Sequence, residues 1–224
     1  MPFNFSFWKS VGEFGSVLVG GSTNNAWLSV ASSTDWAVGT GDFTIEWFQY
    51  QTNNGNENFI FNVGASNMIG AGVASGGNKY NVYMGNSRVS NAAISSNLST
   101  WYHVAITRSG TTMNVYFNGT RIDTFSNSSN INDSSSTLYI GTQDANSPYG
   151  DNWPGNITNF RWIKGTALYT GATLTIPTTN LTAVTNTKLL LLFKNSGSFL
   201  TDDSGTNKTI ANAGVPTWSS LKPF

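Results

Sequence analysis

"WYHVAITRSGTTMNVYFNGTRID", residues 101–123, alternates apolar and polar side chains and turns twice on small residues. "SGT" at 109–111 is a short turn, so the spacing predicts a β-hairpin of 101–108 with 112–117. Met113, Val115 and Phe117 alternate with Asn114, Tyr116 and Asn118, which turns one apolar side to a core. "NGT" at 118–120 is the next tight turn, with Gly119 free to take a positive φ. In the first strand Tyr102, Val104 and Ile106 share a face, and His103 lies opposite with Ala105 and Thr107. His103 is the only histidine in the chain, so no second imidazole is available to share a metal. Nor does a nucleophile sit beside it, and it reads as a strand residue whose ring nitrogens bond to neighbours.

The pattern continues outward in both directions. Short β-prone runs recur between Gly, Asn and Ser clusters, and no stretch keeps a helical period for three turns. The predicted strands are 16–19, 26–30, 43–50, 58–63, 80–84, 101–108, 112–117, 137–140, 155–163 and 188–193. Such spacing predicts an all-β, two-sheet antiparallel β-sandwich of the jelly-roll kind. We find no internal repeat and no linker, so residues 16–224 read as one domain behind an aromatic N-terminal arm, 1–15.

Composition narrows the function. Formal net charge is +0, from 11 basic and 11 acidic residues, which removes the clustered Lys and Arg a nucleic-acid partner requires. Charged residues are 10% of the chain, against roughly 25% in an ordinary soluble domain. Solubility therefore rests on Ser, Thr, Asn and Gly, a surface suited to work outside cells. Cysteine is absent, which excludes disulfides, thiolate metal sites and cysteine nucleophiles. "MPFNFSFWKS" has neither a basic n-region nor an apolar h-region, so no signal peptide is expected. "KLLLLF" is too short to span a bilayer, and no membrane insertion is expected. Sequons at Asn97, Asn118, Asn156 and Asn180 are what so Asn-rich a chain produces by chance.

"WYHVAITRSGTTMNVYFNG" resembles the W-x-H-V-A … R … L-x-V-Y-x-N-G signature of laminin G-like, concanavalin A-like domains. "WLSVASSTDWAVGTGDFTIEWF" upstream is similar to the first half of that family. "GNITNFRWIKGTALYTGATLTIPTTNLTAVTNTKLLL" and the ending "DDSGTNKTIANAGVPTWSSLKPF" resemble a subgroup common in phage and marine viral structural proteins. The resemblance implies a concanavalin A-like jelly roll from about residue 16 onward, in which His103 accompanies the strand motif and no reaction.

Function has to be read from residues, because this architecture hosts lectins, glucanases and inert building blocks alike. Retaining glycosidases need two carboxylates about 5–5.5 Å apart, and glucanases of this fold supply them from an E-x-D-x-x-E strand. Here the glutamates are Glu13, Glu46 and Glu57, and "GDFTIEWF" gives Glu46 no carboxylate two residues away. A G-x-S-x-G partner for His103 is also missing. The expectation is a protein that is not an enzyme.

The stretch "TQDANSPYGDNWPG", 142–155, concentrates sugar-binding chemistry: Asp144, Asn146, Tyr149, Asp151, Asn152 and Trp153. An aromatic ring stacks on the apolar face of a sugar while amides and carboxylates read its hydroxyls. Asp144 and Asp151 are also a weak candidate pair for Ca²⁺, which takes hard oxygen ligands from loops. The alternative is that Trp153 and Tyr149 fold back onto the sandwich and Asp151 caps a turn. A second polar loop, "QTNNGNENF" at 51–59, reads as a solvated hairpin, or as part of the same rim or the opposite one. In the arm, Phe3, Phe5 and Phe7 alternate with Asn4 and Ser6, with Trp8 next, and one strongly apolar strand face results. It is expected to dock on its own sandwich or on another subunit, by strand addition. The combined expectation is a virion surface protein (fibre, tail or capsid decoration) able to attach to host glycans. The other reading is a carbohydrate-binding module of a secreted or cell-surface adhesin.

Overall fold

The computed structural model describes residues 13–20, 25–64, 67–146, 151–197 and 199–224. Arm residues Phe3, Phe5, Phe7 and Trp8, and loop residue Tyr149, lie outside them. The described residues form strands β1 (Ser16–Val19), β2 (Trp27–Val30), β3 (Phe43–Gln51), β4 (Asn58–Val63), β5 (Met68–Val73), β6 (Lys79–Gly85), β7 (Ser87–Ala93), β8 (Trp101–Ser109), β9 (Thr112–Phe117), β10 (Thr120–Ser126), β11 (Leu138–Ile140), β12 (Gly155–Lys164), β13 (Thr187–Leu191), β14 (Ile210–Ala213) and β15 (Thr217–Ser219). No helix among them is long and apolar enough to cross a membrane.

Two antiparallel sheets face each other, as the alternation predicts. One has eight strands in the order β10-β9-β8-β3-β12-β1-β15, with β13 also paired to β12; the other has seven, β14-β2-β11-β4-β5-β6-β7. The hairpin of the opening stretch is β8–β9, with Ser109 opposite Thr112, and Asn118 and Gly119 (φ 48° and 86°) make the turn into β10. The 51–59 stretch is not a hairpin: it carries the chain from β3 in one sheet to β4 in the other. Residues 13–15, assigned from sequence to the arm, belong to the domain. The Gly15 N–H donates to Phe193 O (3.2 Å) and the Asn195 N–H to Glu13 O (2.8 Å). Phe14 packs on Leu181, Leu190 and Leu192.

The core between the sheets is aromatic. Trp47 meets Phe61 edge-on at 5.4 Å and Phe160 stacked at 6.1 Å, and Trp36 meets Trp162 edge-on at 5.4 Å. Gln49 is also inward and buried; its Oε1 accepts from Trp47 Nε1 (3.0 Å) and Tyr80 OH (2.9 Å), which satisfies both of those polar tips. Arg108 is fully buried as well, stacked 5.1 Å from the Phe43 ring centroid and donating to the carbonyls of Gly39, Gly41 and Ser129.

The outer face of the eight-stranded sheet is covered by the long connection 165–186. Thr44 Oγ1 donates to Thr166 O (2.9 Å), Thr107 Oγ1 to Tyr169 O (2.7 Å) and Tyr116 OH to Gly171 O (2.7 Å). A bulge in β12 between Thr158 and Arg161 sends Phe160 to the core and Arg161 to the outer side, opposite Glu46. Asn159 takes the left-handed conformation this needs (φ 53°), which Asn tolerates better than most residues. The outer face of the seven-stranded sheet has no such cover from 165–186, and a cleft opens there.

Candidate functional site

Outward positions of the seven-stranded sheet line up in a cross-strand row: Ser29, Tyr139, Asn62, Gly70, Tyr83 and Arg88. Tyr139 stands between Leu138 and Ile140, and Asn62 between Phe61 and Val63; the four aliphatic or aromatic flankers belong to the core. At Gly70 a Cβ would come within 2.5 Å of Asn62 Oδ1, so the missing side chain lets the Asn62 amide lie against β5. Asn62 is 3% exposed, and its Nδ2 donates 2.9 Å to Gly64 O and 2.9 Å to Gln143 O. This one amide clamps the 142–146 loop to the β4–β5 end of the sheet.

Behind the clamp the loop is ordered locally. The Asn146 N–H donates 2.7 Å to Asp144 Oδ1, an Asx turn, and Thr142 Oγ1 donates 3.0 Å to Asp144 O. The neck closes where the Trp153 N–H donates 2.9 Å to Gly141 O. Together these elements bound a cleft of about 300 Å³, lined by Asn62, Gly64, Met68, Ser136, Thr137, Tyr139, Gln143 and Asp144. Its wall combines a half-buried tyrosine and a methionine with amide, hydroxyl and carboxylate groups. That volume is at the small end for ligand pockets. The chemistry suits a small, hydroxyl-rich ligand with one apolar face.

The loop residues singled out from sequence divide. Asp144 lines the cleft, and Asn146 holds it in place. Trp153 does not face a ligand: it is fully buried in the main core, where its large apolar surface is worth more than a stacking contact at the rim. Asn152 is 7% exposed and structural, its Nδ2 donating to Asn25 Oδ1 (3.0 Å) and its carbonyl accepting from Asn58 Nδ2 (2.9 Å). Asp151 sits on the return path, where its carbonyl accepts from the Phe59 N–H (2.9 Å), and it is not a cleft residue. The Asp144–Asp151 pair considered for Ca²⁺ is thus divided between the cleft and the return path. Among the described residues no group of three or more His, Asp or Glu side chains gathers to hold a metal. Sequence reasoning missed Asn62, Met68, Ser136, Thr137, Tyr139 and Gln143. The available signal was a polar or aromatic residue at the outward position of an otherwise apolar strand, as in "FNV" and "LYI".

On the opposite sheet, His103 and Glu46 meet beneath the 165–186 cover. Glu46 Oε1 accepts from Arg161 Nε (3.0 Å) and Nη2 (2.5 Å), and its Oε2 faces His103 Nε2 (3.1 Å) and accepts from Tyr169 OH (2.9 Å). The Glu46 and His103 side chains are both 0% exposed. Burial alone would raise the Glu46 pKa, but the His103 bond and the Arg161 charge outweigh it and hold the carboxyl below its usual range. Burial, joined by the Glu46 charge, drives the Tyr169 hydroxyl far above the usual tyrosine range. Of the two His103 ring nitrogens expected to bond to neighbours, Nε2 meets Glu46, while Nδ1 is buried without a hydrogen-bond partner.

Comparison with known proteins agrees with this architecture. Residues 20–170 match the family described as the concanavalin A-like lectin/glucanases superfamily, of laminin G type. No curated protein matches the chain by sequence. Among solved structures, a native heptameric SAP-like pentraxin from Limulus polyphemus aligns with 20% identity and a TM-score of 0.54, over 70% of this chain and 78% of the pentraxin. A putative carbohydrate binding protein from Bacteroides ovatus aligns with 13% identity and a TM-score of 0.62, over 95% of this chain but only 62% of that protein's length. The Ruminococcus gnavus IT-sialidase CBM40, bound to α2,3-sialyllactose, aligns with 9% identity and a TM-score of 0.52, over 69% of this chain and 92% of the module. At these identities the likeness is one of fold. The family match covers well over half of the sequence, and the chain belongs to the concanavalin A-like lectin/glucanase superfamily.

Proposed function

We propose that the protein is a non-catalytic carbohydrate-binding module that takes a glycan in the cleft of the seven-stranded sheet. The observation that carries this reading is the lining itself. Tyr139 and Met68 offer an apolar wall for a sugar face, and Ser136, Thr137, Gln143 and Asp144 offer partners for its hydroxyls. The non-catalytic part is supported by Glu46. Its four hydrogen-bonding contacts are engaged and solvent does not reach it, so it cannot deliver or accept a proton at a glycosidic oxygen.

The test is a glycan array followed by calorimetry on the best binder. Tyr139→Ala and Asp144→Ala should each weaken binding by roughly 10–100-fold, about 1–3 kcal/mol, with the melting temperature unchanged. A binder indifferent to both substitutions would sink the cleft as the site. Either setting considered from sequence accommodates such a module, a virion surface component or a secreted or cell-surface adhesin. Co-sedimentation of the native protein with particles favours the first, and its recovery free in medium or on a cell surface favours the second.

A further inference from the structure

Within that carbohydrate-binding reading, we propose that the cleft selects uncharged glycans and turns away those bearing carboxylate or sulfate groups. Two features point to it independently. The first is charge. Asp144 lines the cleft and is exposed, and Asp133 stands one hydrogen bond behind it, accepting from the lining residue Ser136. That bond, with those from Ser135, keeps the Asp133 carboxyl below its ordinary range and hence ionised. The lining residues themselves include no lysine, arginine or histidine. Arg88 shares the cross-strand row but lies four strands from Tyr139, about 19 Å at an ordinary spacing of ~4.8 Å. It also interacts with the Tyr83 hydroxyl beside Glu57, which engages its charge there.

The second feature is hydrogen-bond polarity. Ser136 Oγ gives its proton to Asp133, so it presents only lone pairs to the cleft. Both Asn62 amide protons are engaged, on Gly64 O and Gln143 O, so Asn62 offers a ligand no donor. The Asp144 carboxylate accepts and never donates. Ser136, Asn62 and Asp144 therefore present acceptors or engaged donors, and the uncharged donors left to the cleft are the Gln143 amide and the Thr137 and Tyr139 hydroxyls. A sugar hydroxyl can answer an acceptor with its proton; a carboxylate or sulfate ester cannot, and it is repelled as well.

The experiment compares matched glycans on the full chain by calorimetry: lactose against 3′-sialyllactose, and N-acetyllactosamine against its 6-sulfated form, with the array's best neutral binder and its uronic-acid counterpart as a third pair. The expected result in 20 mM salt is at least tenfold tighter binding of each neutral member that binds. The gap should narrow in 1 M NaCl, where the screening length falls to about 3 Å. Asp144→Asn, which keeps the shape of the side chain, should shrink the gap severalfold by improving the anionic member. An anionic glycan bound as tightly as its neutral partner at low salt overturns the inference, as does a gap that neither salt nor Asp144→Asn alters. No binding by any glycan, neutral or anionic, overturns instead the carbohydrate reading on which it rests.

Discussion

Glu46→Gln is the substitution that probes most of the molecule at one atom. The wild-type carboxylate sits among Arg161, His103 and Tyr169, and each of them donates to it. A glutamine keeps the volume but removes the charge and replaces one acceptor oxygen with an NH₂ group. Turned toward Arg161 the amide NH₂ faces donors; turned toward His103 and Tyr169 it requires the imidazole and the hydroxyl to accept instead, and in either case the buried Arg161 loses its counter-charge. Removing one partner of a buried pair costs about 3–5 kcal/mol, because the other is left uncompensated. For a chain of this size that is roughly 6–20 °C in melting temperature. Chemical unfolding in urea, read by tryptophan fluorescence, gives the number directly.

The effect should also be localised. Tyr169 and Thr182 both lie in the cover, the first donating to Glu46 and the second accepting from Arg161 Nη1 (2.7 Å). Hydrogen exchange across 166–182 should therefore rise in the variant more than exchange in β4–β6. The pH dependence has a definite sign. A carboxyl with a depressed folded pKa contributes stability above its unfolded value, near the ordinary glutamate value of about 4.5, and loses it as pH falls through the folded value. The wild type should therefore lose more stability than Glu46→Gln on acidification below about pH 4.5. The double variant Glu46→Leu with Arg161→Met should recover much of the loss, since an apolar pair leaves no orphan charge. A glutamine variant within ~1 kcal/mol of wild type, with unchanged exchange over 166–182, would refute this account of the cluster.

Three further predictions address other parts of the fold. Trp153→Phe should lower stability by about 1–3 kcal/mol in calorimetry while glycan affinity measured at 10 °C stays within twofold; a lost affinity at an unchanged melting temperature would return the ring to the ligand. Arg108→Met should cost at least ~3 kcal/mol in urea unfolding, because the buried carbonyls of Gly39, Gly41 and Ser129 lose charged donors, and a neutral result would mean that water replaces the guanidinium. Deleting residues 1–12, short of the Glu13–Gly15 segment that pairs with 193–195, should leave the melting temperature unchanged and abolish any self-association seen by light scattering; a truncated monomer that melts several degrees lower would assign the arm to its own sandwich.

The parts of the fold legible in the sequence are those whose burial is one-sided and strong. β3, β8, β9 and β12 carry the aromatic and branched residues of the core, and their pattern predicts them to within a residue or two at each end. The missed strands fail for identifiable reasons. β5 reads "MIGAGV", where Gly70 and Gly72 serve close approach by β4 and erase the β-prone signal. β7 and β10 are edge strands with mostly exposed or half-buried side chains, "SRVSNAA" and "TRIDTFS", so their alternation is faint. β14 and β15 are short and partly exposed, and tertiary pairing with β2 and β1 makes them strands. Glu46 stands in the sequence with no second carboxylate two residues away. Its actual partners come from β8, β12 and the cover, at separations of 57, 115 and 123 residues, which no local pattern encodes.

The same separation explains why, of the described residues singled out in 142–155, only Asp144 lines the cleft. Local chemistry identifies Asp144 and its Asx turn, because both depend on neighbours within two residues. It cannot tell which aromatic of the loop faces outward, since that depends on where the neck closes. The Trp153 N–H bond to Gly141 O closes it just before β12, and the indole then falls on the core side with Ile140 and Ile157. The aromatic wall of the cleft comes instead from Tyr139, three residues before the loop begins at Thr142, on the outward face of β11. The amide that joins strand to loop, Asn62, lies 81 residues from Gln143 in sequence. The cleft on this sandwich is thus made by a sheet face supplying apolar surface and a loop supplying polar groups. The residue that brings them together has the least conspicuous sequence signal of the three.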